Sequence, residues 1–266
     1  MNGFNALVLA GRRNSENPFA EVQGDTHRAL LDVVGVPMLV RVIRALRASS
    51  SVGRIAVSID DQGAFEAVPE LCELKGRSEL THHSSLSSPS RSVQDALSGG
   101  LLGDRVFVTT ADHALLTPKI IDHFAACAEQ SDADLTVGVV AESVLRAAYP
   151  STTRTYLRFR DGGYSGANLF AFRSPRALRA AEFWVRAETF RKKPWRLASA
   201  FGPMTLLLFL SRLLSLEEAL QRASRAIGCQ IRAVSLPFAE AAIDVDRPAD
   251  LELVSEILAA RGESAN

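Results

Sequence analysis

The chain has 266 residues, 47% of them apolar, enough to bury the core of one large α/β domain. Thirty basic side chains balance thirty acidic ones, so there is no overall positive field to hold a nucleic-acid backbone or an anionic membrane, and any phosphate must be gripped locally. Cys72, Cys127 and Cys229 stand far apart with no CxxC pair and no histidines at ligand spacing, which argues against a disulfide framework or structural zinc and for small buried hydrophobes in a reducing compartment.

In chain order, an apolar run at 6–10 follows Met1 without a basic leader, which argues against secretion and for a cytoplasmic protein. The run ends in Gly11, as expected of a parallel strand buried on both faces. Residues 11–27 carry Gly, Asn, Ser, Pro and charged side chains with no helical stripe, and read as a long polar loop. After Gly35 and Pro37, the apolar residues Met38, Leu39, Val42, Ile43 and Leu46 mark an amphipathic helix. A strand at 54–59 and a short helix at 64–74 repeat the β-then-α order. Residues 81–90 have a loop composition and precede a helix at 91–97. A buried strand at 104–111 ends at Asp112, and Thr117 and Pro118 supply an N-cap and first-turn proline for a helix to about 130.

Further strands are predicted at 135–140, 155–159, 167–172 and 230–235, with a helix opening at Ser174 and Pro175 and a last one at 248–258. Residues 176–227 read as a largely helical, apolar insertion, with Leu213, Leu216, Leu220 and Ala223 on one stripe. The fold class is therefore α/β, a doubly wound, mostly parallel sheet flanked by helices, in a single domain over 1–266.

Ligands of such sheets lie at the carboxyl ends of strands. Three polar features fall there: the loop from Gly11 to Arg28, Asp112, and the pair Asp244 and Asp246. Gly11 lets backbone approach a phosphate, and Arg12, Arg13 and Arg28 offer bidentate cations. Two adjacent arginines are also a common solvated surface. Asp112 at a strand end suits a hard cation, and Mg2+ takes one or two protein carboxylates completed by water and phosphates. Asp244 and Asp246, two apart on an extended segment, face the same way. The competing reading is that Asp246 only caps the final helix.

Together these segments resemble the nucleotidyltransferases of the molybdenum cofactor guanylyltransferase-like group, relatives of the sugar-phosphate and inositol-phosphate pyrophosphorylases. LVLAG at 7–11 resembles the opening strand and phosphate turn, with Arg12 where a second glycine is usual. HRALLDVVGVPML at 27–39 places Arg28 at the usual lysine. TTADHALLTP at 109–118 resembles the metal-binding segment, and AIDVDRPADLEL at 242–253 the segment of the second ligand, with Asp246 matching best and Asp244 beside it. SGANLFAF at 165–172 implicates Asn168 in acceptor binding, and SPSRSVQDAL at 88–97 puts Ser90, Arg91 and Ser92 near the base. The resemblance implies transfer of a nucleotidyl group from CTP or GTP to a phosphorylated small molecule, with Mg2+ on Asp112 and Asp246 or Asp244. Arg12, Arg28 and Asp112 would be catalytic, and Leu9, Ala10, Gly11, Arg12, Arg13, Arg28, Ser90, Ser92 and Ala111 would line the nucleotide.

Two rivals stand beside this reading. A glycosyltransferase of similar fold would hold metal through a DxD at a central strand, whereas the DxD here lies late in the chain. A non-catalytic nucleotide-binding protein is the other. No run is long enough to span a bilayer: the longest uncharged stretch, 197–211, falls short of roughly 20 residues and contains Gly202 and Pro203. The apolar segment 194–216 fits most plainly a helix pair on the sheet, and otherwise a lid over a greasy acceptor, a peripheral membrane contact, or a homodimer interface.

Overall fold

The computed structural model describes residues 3–12, 19–24, 26–150, 152, 154–189 and 201–263. Its strands are β1 (Phe4–Leu9), β2 (Asp32–Val33), β3 (Val36–Pro37), β4 (Val52–Ile59), β5 (Leu80–Ser84), β6 (Val106–Thr110), β7 (Leu135–Ala141), β8 (Leu157–Phe159), β9 (Gly162–Phe172) and β10 (Ile231–Ser235). Eight form one sheet in the order β10-β7-β9-β6-β1-β4-β5, with β8 on β9. β1 is parallel to β4 and β6, β4 to β5, and β7 to β10. The long β9 runs antiparallel between β6 and β7, so the sheet is mostly parallel.

β1 shows why the opening run is apolar throughout. Phe4, Ala6 and Val8 pack into one core layer, while Leu7 points through the sheet into a second layer with Val93, Val106, Val108 and Ala177. A strand covered on both faces has no polar side to alternate. Helix Met38–Ala48 buries Leu39, Val42, Ile43 and Leu46, spaced as one helical face. Thr117 caps helix Pro118–Gln130, its hydroxyl accepting from the Ile120 N–H at 3.3 Å.

Several expectations are corrected. The segment 81–90 is not all loop, because β5 is an edge strand whose polar, half-buried to exposed side chains after Leu80 leave no apolar signal and whose pairing to β4 defines it. Residues 32–37 form a small hairpin, turned by Val34 and Gly35 at φ 54 and 77°. The helix expected at 64–74 splits into Gln62–Glu66 and Pro69–Gly76, since Pro69 disfavours helical geometry at Val68. Glu142–Ala148 is an additional helix. Among the described residues of the 176–227 region the α-helices are Leu178–Thr189, Pro203–Leu210 and Leu216–Ile227. Leu213 is not on the last helix's stripe: Ser215 starts that helix with a capping box to Glu218, leaving Leu213 outside it and exposed. Of the cysteines, Cys229 alone is buried, and Cys72 is exposed on a short surface helix.

Candidate active site

The carboxyl ends of β1 and β6 lie side by side where the strand order reverses, the place a doubly wound sheet opens a crevice. Leu9, Ala10 and Gly11 leave the sheet there, with Ala10 donating to the Ser58 carbonyl and Ala111 donating to the Leu9 carbonyl. A Cβ on Gly11 would sit 2.2 Å from Ser85 Oγ, so the close approach of these two turns favours glycine.

Asp112 lies two residues past the end of β6, and its carbonyl accepts from the Val245 N–H at 3.0 Å. Val245 and Ile243 are fully buried, so the alternation of an extended chain turns Asp244 and Asp246 to the opposite side. One carboxylate oxygen from each of Asp112, Asp244 and Asp246 comes within 4.8 Å of the others. The capping alternative fails for Asp246: Arg247 is the N-cap residue of helix Pro248–Ala260. It is Asp250, one turn in, whose carboxylate accepts from the N–H groups of Asp246 (3.2 Å) and Arg247 (2.9 Å). Asp246 is left to face the site.

Two arginines hold the carboxylates in place. Arg28 Nη2 donates to Asp246 Oδ1 (2.5 Å), the Val245 carbonyl (2.9 Å) and Asp112 Oδ2 (3.3 Å), tying the early loop to both acidic segments. Arg154, whose side chain is only 7% exposed, donates to Asp244 Oδ1 at 2.5 Å and pairs with Asp250 at 3.1 Å. Asn168 Nδ2 donates to Asp244 Oδ2 at 3.3 Å. Its backbone is left-handed, φ 49°, inside the stretch of β9 where the register against β7 shifts, and such a bulge re-aims a side chain. Burial, then the charges of Asp112 and Asp246, push the Asp244 carboxyl up to about 6 against the pull of Arg154. Crowded hard oxygens of this kind suit a divalent cation such as Mg2+. His113, unassigned from sequence, is buried, and burial lowers its pKa to about 4 with only a weak opposing effect from the Glu240 backbone, so it is neutral at pH 7.

The Arg12 guanidinium donates to Asp61 at 2.9 Å and its backbone N–H to Asp60 Oδ1 at 2.9 Å, at the end of β4. His27, buried, also meets Asp60 Oδ1, at 3.1 Å. Ser90 and Ser92 are fully buried. Ser90 donates to Glu188 at 2.6 Å, and Ser92 accepts from the Leu86 N–H at 2.9 Å. Their hydroxyls serve the protein's own loop and helix. Arg13 and the stretch 190–200 lie outside the described residues. Sequence reasoning missed Arg154, Asp250 and His27. Asp250, three residues after Arg247 and just inside Pro248, carried a readable signature of an acid reaching back to a helix start. Arg154 carried none.

A family model for the MobA-like NTP transferase domain matches residues 6–228. A solved structure described as a hypothetical transferase from Thermus thermophilus superposes with a TM-score of 0.76 at 29% identity, covering 94% of this chain and 99% of that one. A CMP:2-keto-3-deoxy-manno-octonic acid synthetase complexed with CTP gives 0.59 at 17% identity, covering 98% and 100%. A 4-diphosphocytidyl-2C-methyl-D-erythritol synthase from Anaerococcus prevotii gives 0.58 at 11%, covering 97% of each, and these two similarities concern the fold. Among curated proteins, none matches the sequence. The match spans most of the chain, including Gly11, Arg28, Asp112 and Asn168, and the protein is a nucleotidyltransferase that belongs to the MobA-like NTP transferase family.

Proposed function

We propose that the protein catalyses Mg2+-dependent transfer of a nucleotidyl group, from CTP or GTP, to the phosphate of a small-molecule acceptor, releasing pyrophosphate. The observation that carries this reading is the meeting of Asp112, Asp244 and Asp246 under Arg28 at the switch point of the sheet.

In this reading the acceptor phosphate oxygen attacks the α-phosphorus in line, a P–O bond to the acceptor forms, the bond to the β-phosphate oxygen breaks, and pyrophosphate leaves. No covalent enzyme intermediate is needed. Leu9, Ala10, Gly11 and Ala111 present backbone to the nucleotide, and the absent side chain of Gly11 leaves room for the phosphates. Asp112 and Asp246 hold the cation, and Asp244 completes the set. Bound Mg2+ supplies neutralisation of phosphate charge. Arg12 and Arg28, with Arg13, offset the charge of the departing pyrophosphate. To reach a triphosphate, the half-exposed Arg12 exchanges its pair with Asp61, a surface contact worth about 1 kcal/mol or less. Ser90 and Ser92 shape the base pocket through the 85–92 loop, and Asn168 orients the acceptor.

The test is a matrix of four NTPs against sugar, polyol and cofactor phosphates, read as pyrophosphate. Release with CTP or GTP and one acceptor class supports the proposal. Nucleoside diphosphate released from a nucleotide sugar, or nucleotide binding without any turnover, would replace it with a glycosyltransferase or a non-catalytic binding protein.

A further inference from the structure

Asp60 and Asp61 follow β4, and the two carboxylates serve different partners. Asp61 caps helix Gln62–Glu66, its Oδ1 accepting from the Ala64 N–H at 2.8 Å. Asp60 Oδ1 instead accepts from the Arg12 backbone N–H at 2.9 Å and meets His27 Nε2 at 3.1 Å, so one oxygen joins two segments far from it in sequence. The register accounts for the first contact. Leu9 of β1 pairs with Ser58 of β4, so two residues further on Gly11 and Asp60 leave the sheet side by side.

His27 is held through both ring nitrogens. Its side chain is only 1% exposed, and Nδ1 accepts from the Ala29 N–H at 3.2 Å, at the start of the short turn Arg28–Leu30. An amide N–H can only donate, so Nδ1 carries no proton and Nε2–H is the donor to Asp60. The ring is thereby fixed in both orientation and tautomer. Arg28 comes next in the chain, and it is Arg28 that reaches Asp112 and Asp246. Asp60 therefore sets where Arg12 leaves β1 and where Arg28 starts toward the acidic cluster. These are two of the cations assigned above to the departing pyrophosphate.

A bare carboxylate beside a triphosphate would repel it. Burial raises the Asp60 pKa, but hydrogen bonds from the Arg12 N–H and His27 outweigh that and hold it below the ordinary 3.8, so its charge is taken up by these donors. The half-exposed Arg12 guanidinium rests mainly on Asp61, at 2.9 Å, with a looser approach to Asp60 Oδ2 at 3.8 Å. The Arg12 backbone can stay on Asp60 while the side chain turns to a phosphate.

We propose that Asp60 is a positioning residue for the triphosphate: through the Arg12 backbone and the His27 ring it fixes the separation of Arg12 and Arg28. This rests on the nucleotidyl-transfer reading, and it makes Asp60 and His27 matter to the phosphate chain rather than to the base or the acceptor.

Calorimetry without acceptor, with CTP and GTP against CMP and GMP in Mg2+, separates such positioning from plain stability. Asp60→Ala should weaken binding of the triphosphate by about tenfold, the worth of hydrogen bonds to a charged group, and leave the monophosphate unchanged. Asp60→Asn keeps an acceptor oxygen for both donors and should recover most of that loss. His27→Asn, whose shorter side chain can still accept from Ala29 but stops short of Asp60, should repeat the effect of Asp60→Ala and stands in for it if that variant does not fold. Wild-type urea midpoints check the folding of each. A loss shared equally by triphosphate and monophosphate would mark a structural role and overturn the proposal, as would unchanged triphosphate affinity in Asp60→Ala and His27→Asn. A wild type that binds neither CTP nor GTP would sink the nucleotidyl-transfer reading along with it, a result distinct from variants that bind as the wild type does.

Discussion

The Val245 N–H donates to the Asp112 carbonyl across 3.0 Å, a bond that stitches the end of β6 to a segment far later in the chain. Everything acidic at the site hangs on it. With Ile243 and Val245 locked into the core, Asp244 and Asp246 have one direction left, and that direction is toward Asp112. The backbone and apolar burial set the direction of these side chains and Arg28 and Arg154 hold their carboxylates, so the chain path does not depend on any single carboxylate.

Asp112→Asn should therefore fold normally and lower kcat by about a hundred- to a thousandfold, the usual cost of removing a preorganised electrostatic contact. Pyrophosphate release under saturating Mg2+, with circular dichroism as the folding control, measures it. Turnover near the wild-type rate would remove Asp112 from the mechanism.

Arg154 is the buried cation that keeps Asp244 and Asp250 together. Arg154→Met leaves two carboxylates without it and should destabilise the protein by about 3 kcal/mol, read from the urea midpoint. Arg154→Lys keeps the charge but loses the fork that reaches both acids, and should recover only part of that loss.

Asn168 separates into a backbone and a side-chain role. Asn168→Gly tolerates the left-handed φ and deletes the amide, so stability should hold while KM for the acceptor rises. Asn168→Val forces a β-branched residue into that conformation and should cost about 1–3 kcal/mol in urea unfolding. Equal stability of the two variants would contradict a strained bulge.

Glu240 accepts from Tyr149 (3.1 Å) and Arg261 (2.9 Å) at the edge of the same region. Burial pushes its pKa up, but hydrogen bonds from its own backbone, Arg261 and Tyr149 outweigh that and hold it below the ordinary 4.5. A carboxyl lowered on folding contributes stability that is complete above the unfolded value and fades as pH falls through the folded one. Glu240→Gln should thus cost about 1 kcal/mol at pH 7 and converge with the wild type well below pH 4.5. A difference independent of pH would argue against the ionised pair.

The elements with strong local signals were legible in the sequence. β1 and β6 are apolar runs closed by Gly11 and Asp112, and the helix after Thr117 announces its own cap and first-turn proline. Elements defined by their neighbours were not. β5 is polar and owes its strand to β4, and nothing in the local pattern around Gly162 foretold that β9 would run antiparallel through the middle of a parallel sheet. The site divides the same way. The two-residue spacing of Asp244 and Asp246 showed that they face the same way, whereas Arg154, an isolated arginine in a polar stretch, becomes meaningful only when folding delivers Asp244 and Asp250 to it.

Asp112, Asp244 and Asp246 are proposed to hold one divalent ion. Titration of Mn2+ followed by electron paramagnetic resonance, on the wild type and on Asp112→Asn and Asp246→Asn in the presence of CTP or GTP, tests it most directly. One bound ion per chain, weakened by about tenfold or more in each variant, is the predicted result. Undiminished Mn2+ binding in both variants would show that the ion, if the enzyme uses one, is held elsewhere.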